Sequence, residues 1–172
     1  MADNPMREVK LEKLVINIGI GSNDQLLTNT KLLIHKLTGR NAVQTTAKKR
    51  DPSLNIRKGQ VIGAMVTLRK AEAADMLKRA LDANNNTIKE RSINDNSLSF
   101  GIKEYIDFSG VKYDPKIGML GMNINANFSR VGRRVERRRR LRSVEDVDHK
   151  QVKKEEIIAY ITKHFGAKVT SE

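Results

Sequence analysis

The sequence predicts an α+β fold: an antiparallel-rich sheet with helices packed on one face, a polar second face and long basic loops. Three observations predict it. Short segments alternate apolar and polar residues with the period of a half-buried strand. Longer segments between them carry apolar residues at helical spacing. The segments that do neither are rich in Lys and Arg.

Taken in order, Leu14, Ile16, Ile18 and Ile20 share one face of a first strand, with Val15, Asn17 and Gly19 on the other. Ser22 or Asn23 caps a helix whose stripe is Leu26, Leu27, Leu33, Ile34 and Leu37, and Gly39 stands where a left-handed terminating residue belongs. Residues 42–47 read as a short second strand. Residues 48–60, polar, basic and broken by Pro52 and Gly59, read as a long loop. Alternation returns over residues 61–69, burying Ile62, Ala64, Val66 and Leu68 and presenting Thr67 and Arg69. A helix follows over 72–83 with Ala73, Leu77, Ala80 and Leu81 inward, then a connection over 84–97 rich in Asn and Ser. Residues 98–102 resume a strand. Residues 105–118 carry scattered apolar positions and turn signals without a clear period. Met122, Ile124, Ala126 and Phe128 form one face of a further strand, opposite Asn123, Asn125 and Asn127. Residues 151–165 pattern as a terminal helix ended near Gly166. No repeat or linker divides the chain, so 1–172 is expected to be a single domain.

Charge indicates the partner. The stretch from Ser129 to Arg142 holds eight arginines, Arg130, Arg133, Arg134, Arg137, Arg138, Arg139, Arg140 and Arg142, against one acid, Glu136. So many guanidiniums in one short run repel each other unless phosphates or counterions lie between them. A basic disordered tail is the plainer alternative, but the run is internal and flanked by patterned segments, which favours a docking loop. The net charge is +13, and eight arginines less one glutamate leave +7 in the run and +6 elsewhere. Basicity is therefore distributed, the footprint of a protein meeting nucleic-acid phosphates over more than one surface.

The second sheet face refines this. Asn17, Thr67, Arg69, Asn123, Asn125 and Asn127 all fall opposite the apolar side. A merely solvated face carries more Lys and Glu. Asn is a poor strand former, so three at alternate positions sacrifice β propensity without a packing return, a conflict that tends to mark a site. Amides, hydroxyls and a guanidinium can bond phosphates, ribose hydroxyls and base edges. Aromatic residues make up only 4% with no Trp, so the pattern of stacking-based single-strand binders is missing and folded RNA is the better fit.

Other chemistry finds little support. Zero cysteines exclude disulfides and thiolate metal sites. The Gly19-Ile20-Gly21 turn lacks the third glycine of a dinucleotide fingerprint, since position 24 is Asp, and no phosphate-loop GK[ST] occurs. His35, His149 and His164 are wrongly spaced for a metal, and the acids at 145, 146 and 148 suit the approach to a helix start better than a cation site. No catalytic residue, cofactor or metal is expected. With no apolar stretch of membrane-spanning length and no signal-peptide core, no membrane partner is expected and cytoplasmic residence is the default. From charge alone, a non-specific architectural nucleic-acid-binding protein is the main alternative, and an RNA-modifying enzyme a weaker one.

Four ordered pieces, VINIGIGSND, LTGRNAVQTTAKKRDPSLNIRKGQVIGAMVTLR, FGIKEYIDFSGVKYDPKIGMLGMNI and KKEEIIAYITKHFGAK, resemble the large-ribosomal-subunit protein five family in its archaeal and eukaryotic form, over nearly the whole chain. The resemblance implies a monomer within the ribosome that binds 5S ribosomal RNA in the central protuberance beside large-subunit protein eighteen. It also implies reach toward the peptidyl-site transfer RNA and an intersubunit bridge to small-subunit protein thirteen. By motif, Asn17, Thr67 and Arg69 resemble 5S RNA contacts. Arg40, standing where many relatives carry Gln, joins that set. Lys48, Lys49, Arg50, Arg57 and Lys58 lie in a segment similar to the family loop that extends toward the transfer RNA. The arginine run is denser than in bacterial-type members, and its partner stays open between 23S RNA, 5S RNA and the bridge.

Overall fold

A computed structural model describes residues 4–21, 23–133, 138–141 and 151–170. Six strands form one antiparallel sheet in the order β2-β3-β1-β7-β6-β5, with β1 Val9–Gly19, β2 Val43–Thr46, β3 Val61–Leu68, β5 Ile93–Asn94, β6 Ser97–Ile102 and β7 Met122–Arg130. Three helices, α1 Asp24–Thr38, α2 Lys70–Ala83 and α3 Lys154–Phe165, pack on one face. A separate parallel pair joins β4 Thr87–Lys89 to β8 Lys168–Thr170.

The period-two pattern decides which way each strand faces. Leu14, Ile16 and Ile18 of β1, Ala64, Val66 and Leu68 of β3, and Met122, Ile124, Ala126 and Phe128 of β7 are all buried. They meet Leu33, Ile34 and Leu37 of α1, Met76, Leu77 and Leu81 of α2, and Ile157 and Ile161 of α3 in one core. Burying a side chain of this size contributes about 1.5–3 kcal/mol, so a one-residue slip that turned a strand over would cost far more than any surface contact could return. The helix ends follow from their caps. Asn23, rather than Ser22, which lies outside the described residues, accepts from the N–H groups of Gln25 and Leu26. Gly39 and Gly166 adopt φ of 67° after α1 and α3, a conformation only glycine takes without strain, and return N–H groups to His35 and Thr162.

The terminal helix starts at Lys154 rather than 151 and is followed by the unexpected β8, and three further regions differ from the sequence expectation. β1 begins at Val9, five residues before its alternation becomes visible, because Glu12 is an extra residue between Leu11, opposite Phe128, and Lys13, opposite Asn127. The connection expected over 84–97 contains β4, a single 3₁₀ turn and β5, and it buries Ile88 and Ile93. Residues 105–118 have little regular structure yet bury Tyr105, Phe108 and Ile117, and the Tyr105 hydroxyl accepts from the Asp114 N–H at 2.9 Å.

Candidate nucleic-acid interface

The sheet face turned away from the helices is uncovered by other described residues, and strand register places its side chains in rows. One row runs Val43, Met65, Asn17, Asn123, Gly101 from β2 to β6. The next runs Thr67, Val15, Asn125, Ser99, and a third Lys13, Asn127, Ser97. Five strands at about 4.8 Å spacing make a surface roughly 20 Å across. Asn17, Thr67 and Asn125 are half-buried, Asn123 is exposed, and exposed Arg69 directly follows β3. The structure thus brings Asn17, Thr67, Arg69, Asn123 and Asn125 together on one surface.

Asn127 shares the face but is already engaged, its amide donating to the Glu12 carboxylate at 3.0 Å. The extra residue in β1 is what carries Glu12 to that position. The Asn127 amide is therefore less available to an RNA than those of Asn17, Asn123 and Asn125.

Glycines shape the same surface. Gly19 and Gly63 are cross-strand partners, and Gly101 lies opposite Asn123. A Cβ on Gly63 would fall well inside 3.0 Å of the Ile18 carbonyl oxygen and 2.9 Å from Thr45 Oγ1, and one on Gly101 would press on Asn123 Oδ1 at 3.3 Å. Around Gly19 there is open space. Gly63 is buried beneath its neighbours, whereas exposed Gly19 and Gly101 leave places where another backbone can approach the sheet closely. The sequence reading overlooked Ser97, Ser99 and Gly101, although the alternation that buries Leu98 and Ile102 exposes them.

Arg40 lies beside this face, just after α1. Its Nε and Nη2 donate to the two Glu72 carboxylate oxygens, each at 2.8 Å. The pairing holds the Glu72 carboxyl below, and the Arg40 guanidinium above, their ordinary pKa values, chiefly through these hydrogen bonds. Arg40 and Thr67 line two adjoining hollows. One, of about 410 Å³, is completed by Arg69, Lys70 and the start of α2. The other, of about 300 Å³, is completed by Asn41, Val43, Met65 and Val66. The N-terminus of α2, which has no side-chain cap, borders the first of these hollows.

The expected basic loop has its own order. Asp51 and Ile56 exchange both backbone hydrogen bonds at 3.0 and 2.9 Å, while Ala47 bonds Gln60 and Gly59 bonds Ala47 at the base. The Ser53 hydroxyl and N–H hold the Asp51 carboxyl below its ordinary pKa. Lys48, Lys49, Arg50, Arg57 and Lys58 are all exposed, and Arg50 and Arg57 border a concavity of about 720 Å³. A basic hairpin with an exposed Leu54 near its tip is the result.

The arginine run divides. Arg130 closes β7 and pairs with Glu156 in the first turn of α3, its side chain only 14% exposed, so it anchors the start of the run to the body. Glu156 also accepts from the Lys153 N–H at 3.1 Å. Arg133 is half-buried, whereas Arg138, Arg139 and Arg140 are exposed. Arg134, Arg137 and Arg142 lie outside the described residues, as do the acids at 145, 146 and 148 and His149. Among the described residues no group of three His, Asp or Glu side chains is placed to hold a metal ion, and no helix is long and apolar enough to cross a membrane.

Comparison with known proteins gives this surface a lineage. The family described as Ribosomal protein L5 matches residues 4–57, and the ribosomal L5P family C-terminus matches residues 61–160. Large ribosomal subunit protein uL5 of Pyrobaculum aerophilum is 42% identical over 96% of this chain and 93% of its own. Its counterparts in Methanoregula boonei and Nanoarchaeum equitans are 38% and 40% identical over 95% and 97% of this chain, and each is covered over 99% of its length. Identity at this level along nearly the full length of each protein means that the chain belongs to the ribosomal protein L5 family, in its archaeal form.

Proposed function

We propose that this protein binds 5S ribosomal RNA on the open sheet face and helps to hold it in the central protuberance of the large ribosomal subunit. As a member of its family it is a structural, non-enzymatic constituent of that subunit. The observation that carries the finer reading is the pairing of Asn17 with Asn123 and the adjacent Thr67 and Asn125, a polar patch bordered by Arg69 and Arg40 and hollowed by glycines. Such a patch reads the shape of a folded RNA through ribose hydroxyls and phosphates, with hydrogen bonds adding selectivity to a charge-driven affinity. The basic hairpin over 48–60 is assigned to the peptidyl-site transfer RNA. A partner that comes and goes is served by phosphate contacts from a protruding loop. Large-subunit protein eighteen, 23S RNA and small-subunit protein thirteen complete the proposed partners, the last two together with 5S RNA being candidates for Arg138, Arg139 and Arg140.

Binding of the full chain to 5S ribosomal RNA, an unrelated folded RNA of equal length and duplex DNA, each at low and near-physiological salt, tests this. The 5S complex alone should survive the higher salt. A parallel loss of all three would make the chain a non-specific architectural binder of nucleic acid and remove the role assigned to the sheet face.

A further inference from the structure

Val43 and Met65 are the exposed apolar side chains of a largely polar surface, on which Val15 is half-buried. They are cross-strand partners, 61% and 36% exposed, and together they make an apolar ledge at the β2 end of the row that contains Asn17. Neither contributes to the core, and Val43 lies on an edge strand. The ledge floors the hollow of about 300 Å³ that Arg40, Asn41 and Thr67 also line.

Arg40 is unusual in a second way. Both the Nε–H and one Nη2–H, the side-on bidentate pair, are engaged by Glu72. What remains is the end-on Nη1/Nη2 edge, which can still meet a phosphate, and the flat π surface of the guanidinium, oriented by the carboxylate fork. A fixed guanidinium plane beside an apolar ledge suits a flat, polarizable, aromatic group. Arg planes stack on unstacked bases, and a Met thioether packs favourably against aromatic rings. Arg69 and Lys70 in the adjoining hollow supply positive charge for the phosphate attached to such a group.

We propose that Arg40, Val43 and Met65 form a subsite for one unstacked base of the bound RNA, with Glu72 as a positioning residue that orients the guanidinium. Thr67 and Asn41 provide the polar atoms for the base edge. The inference rests on RNA occupying the open face, and it adds a base contact to a surface otherwise suited to ribose and phosphate.

The test pairs protein variants with RNA lacking single bases. 5S ribosomal RNAs carrying one abasic nucleotide at each unpaired position are bound to the wild-type chain, Met65→Ala and Arg40→Lys. One abasic position should cost the wild type about tenfold in affinity, on the scale of a lost base stack. Met65→Ala should cost a similar factor, and the two changes together no more than either alone. Arg40→Lys keeps the charge and removes the plane, so it should behave like Met65→Ala. Met65 lies outside the core, and an unchanged urea midpoint separates loss of binding from loss of fold. Independent, multiplying losses at every abasic position, or full affinity in Arg40→Lys, would overturn the subsite and leave 5S binding intact. Unchanged affinity in Met65→Ala would assign the ledge to a protein side chain and overturn it too. If the wild type shows no preference for 5S RNA, the functional reading fails first and takes the subsite with it.

Discussion

Gly63→Ala and Gly19→Ala form a matched pair, since the two glycines are cross-strand partners on the same face with different surroundings. At Gly63 the new methyl would meet the Ile18 carbonyl oxygen of the central strand, a backbone atom that no rotamer change can move aside. β1 and β3 would have to part by about 1 Å to restore ordinary contact. Overpacking of this kind costs about 1–3 kcal/mol, and one stretched ladder hydrogen bond adds about 1 kcal/mol. Against this, Ala gains about 0.5–1 kcal/mol over Gly through the smaller entropy of its unfolded chain. The net expectation for Gly63→Ala is a loss of about 2 kcal/mol, or about 4–8 °C in Tm for a chain of this size. Gly19→Ala meets no atom within 4 Å, so only the entropic gain of about 0.5 kcal/mol applies. Urea unfolding with a common m-value reads the difference directly. Equal midpoints for the two variants would refute the steric account of Gly63.

On the same face, Thr67→Ala and Arg69→Ala should each weaken 5S RNA binding by about 1–3 kcal/mol, whereas Asn127→Ala, whose amide is taken by Glu12, should change it by less than about 0.5 kcal/mol in a titration. Arg130→Ala should cost about 1 kcal/mol of stability through loss of its pair with the partly exposed Glu156, with Arg139→Ala/Arg140→Ala leaving stability intact and flattening the salt dependence of RNA binding; urea and salt titrations separate the two. The Asp114 carboxyl, held below its ordinary pKa chiefly by the Lys36 ammonium, contributes stability above its unfolded value that is lost as pH falls through its folded value. Asp114→Asn should therefore show a shallower fall of the urea midpoint below about pH 5, and superimposable slopes would contradict the pairing. Neutralising Lys48, Lys49 and Arg50 should leave 5S affinity nearly unchanged while slowing translation by reconstituted ribosomes. Collapse of 5S binding would instead move the hairpin into the permanent site.

What was legible in the sequence is what a single strand or helix can encode alone. Alternation over 14–20, 61–69 and 122–128 assigned Asn17, Thr67, Asn123 and Asn125 to one surface because burial of the other side leaves no choice of face. What was missed depends on a second chain segment. The extra residue Glu12 interrupts the alternation of β1, so its first half reads as irregular, and with it goes the clue that Asn127 is occupied. β4 and β8 have three residues each and are strands only because they find one another across the sequence. Tyr105, Phe108 and Ile117 bury themselves from turns without any period to detect. The pairing of Arg40 with Glu72 follows from the placement of α2 against the end of α1, which no local pattern specifies.

The most direct measurement of the central claim is the ratio of affinities for 5S ribosomal RNA and an unrelated folded RNA, taken for the wild type and for Asn17→Ala/Thr67→Ala/Asn125→Ala across a salt series. If the open face carries recognition, the triple variant keeps the salt slope, because no cation is removed, and loses at least about tenfold in the ratio, on the scale of two or three lost hydrogen bonds. A ratio equal to the wild type's, in a variant with an unchanged urea midpoint, would contradict it and place recognition in the basic loops.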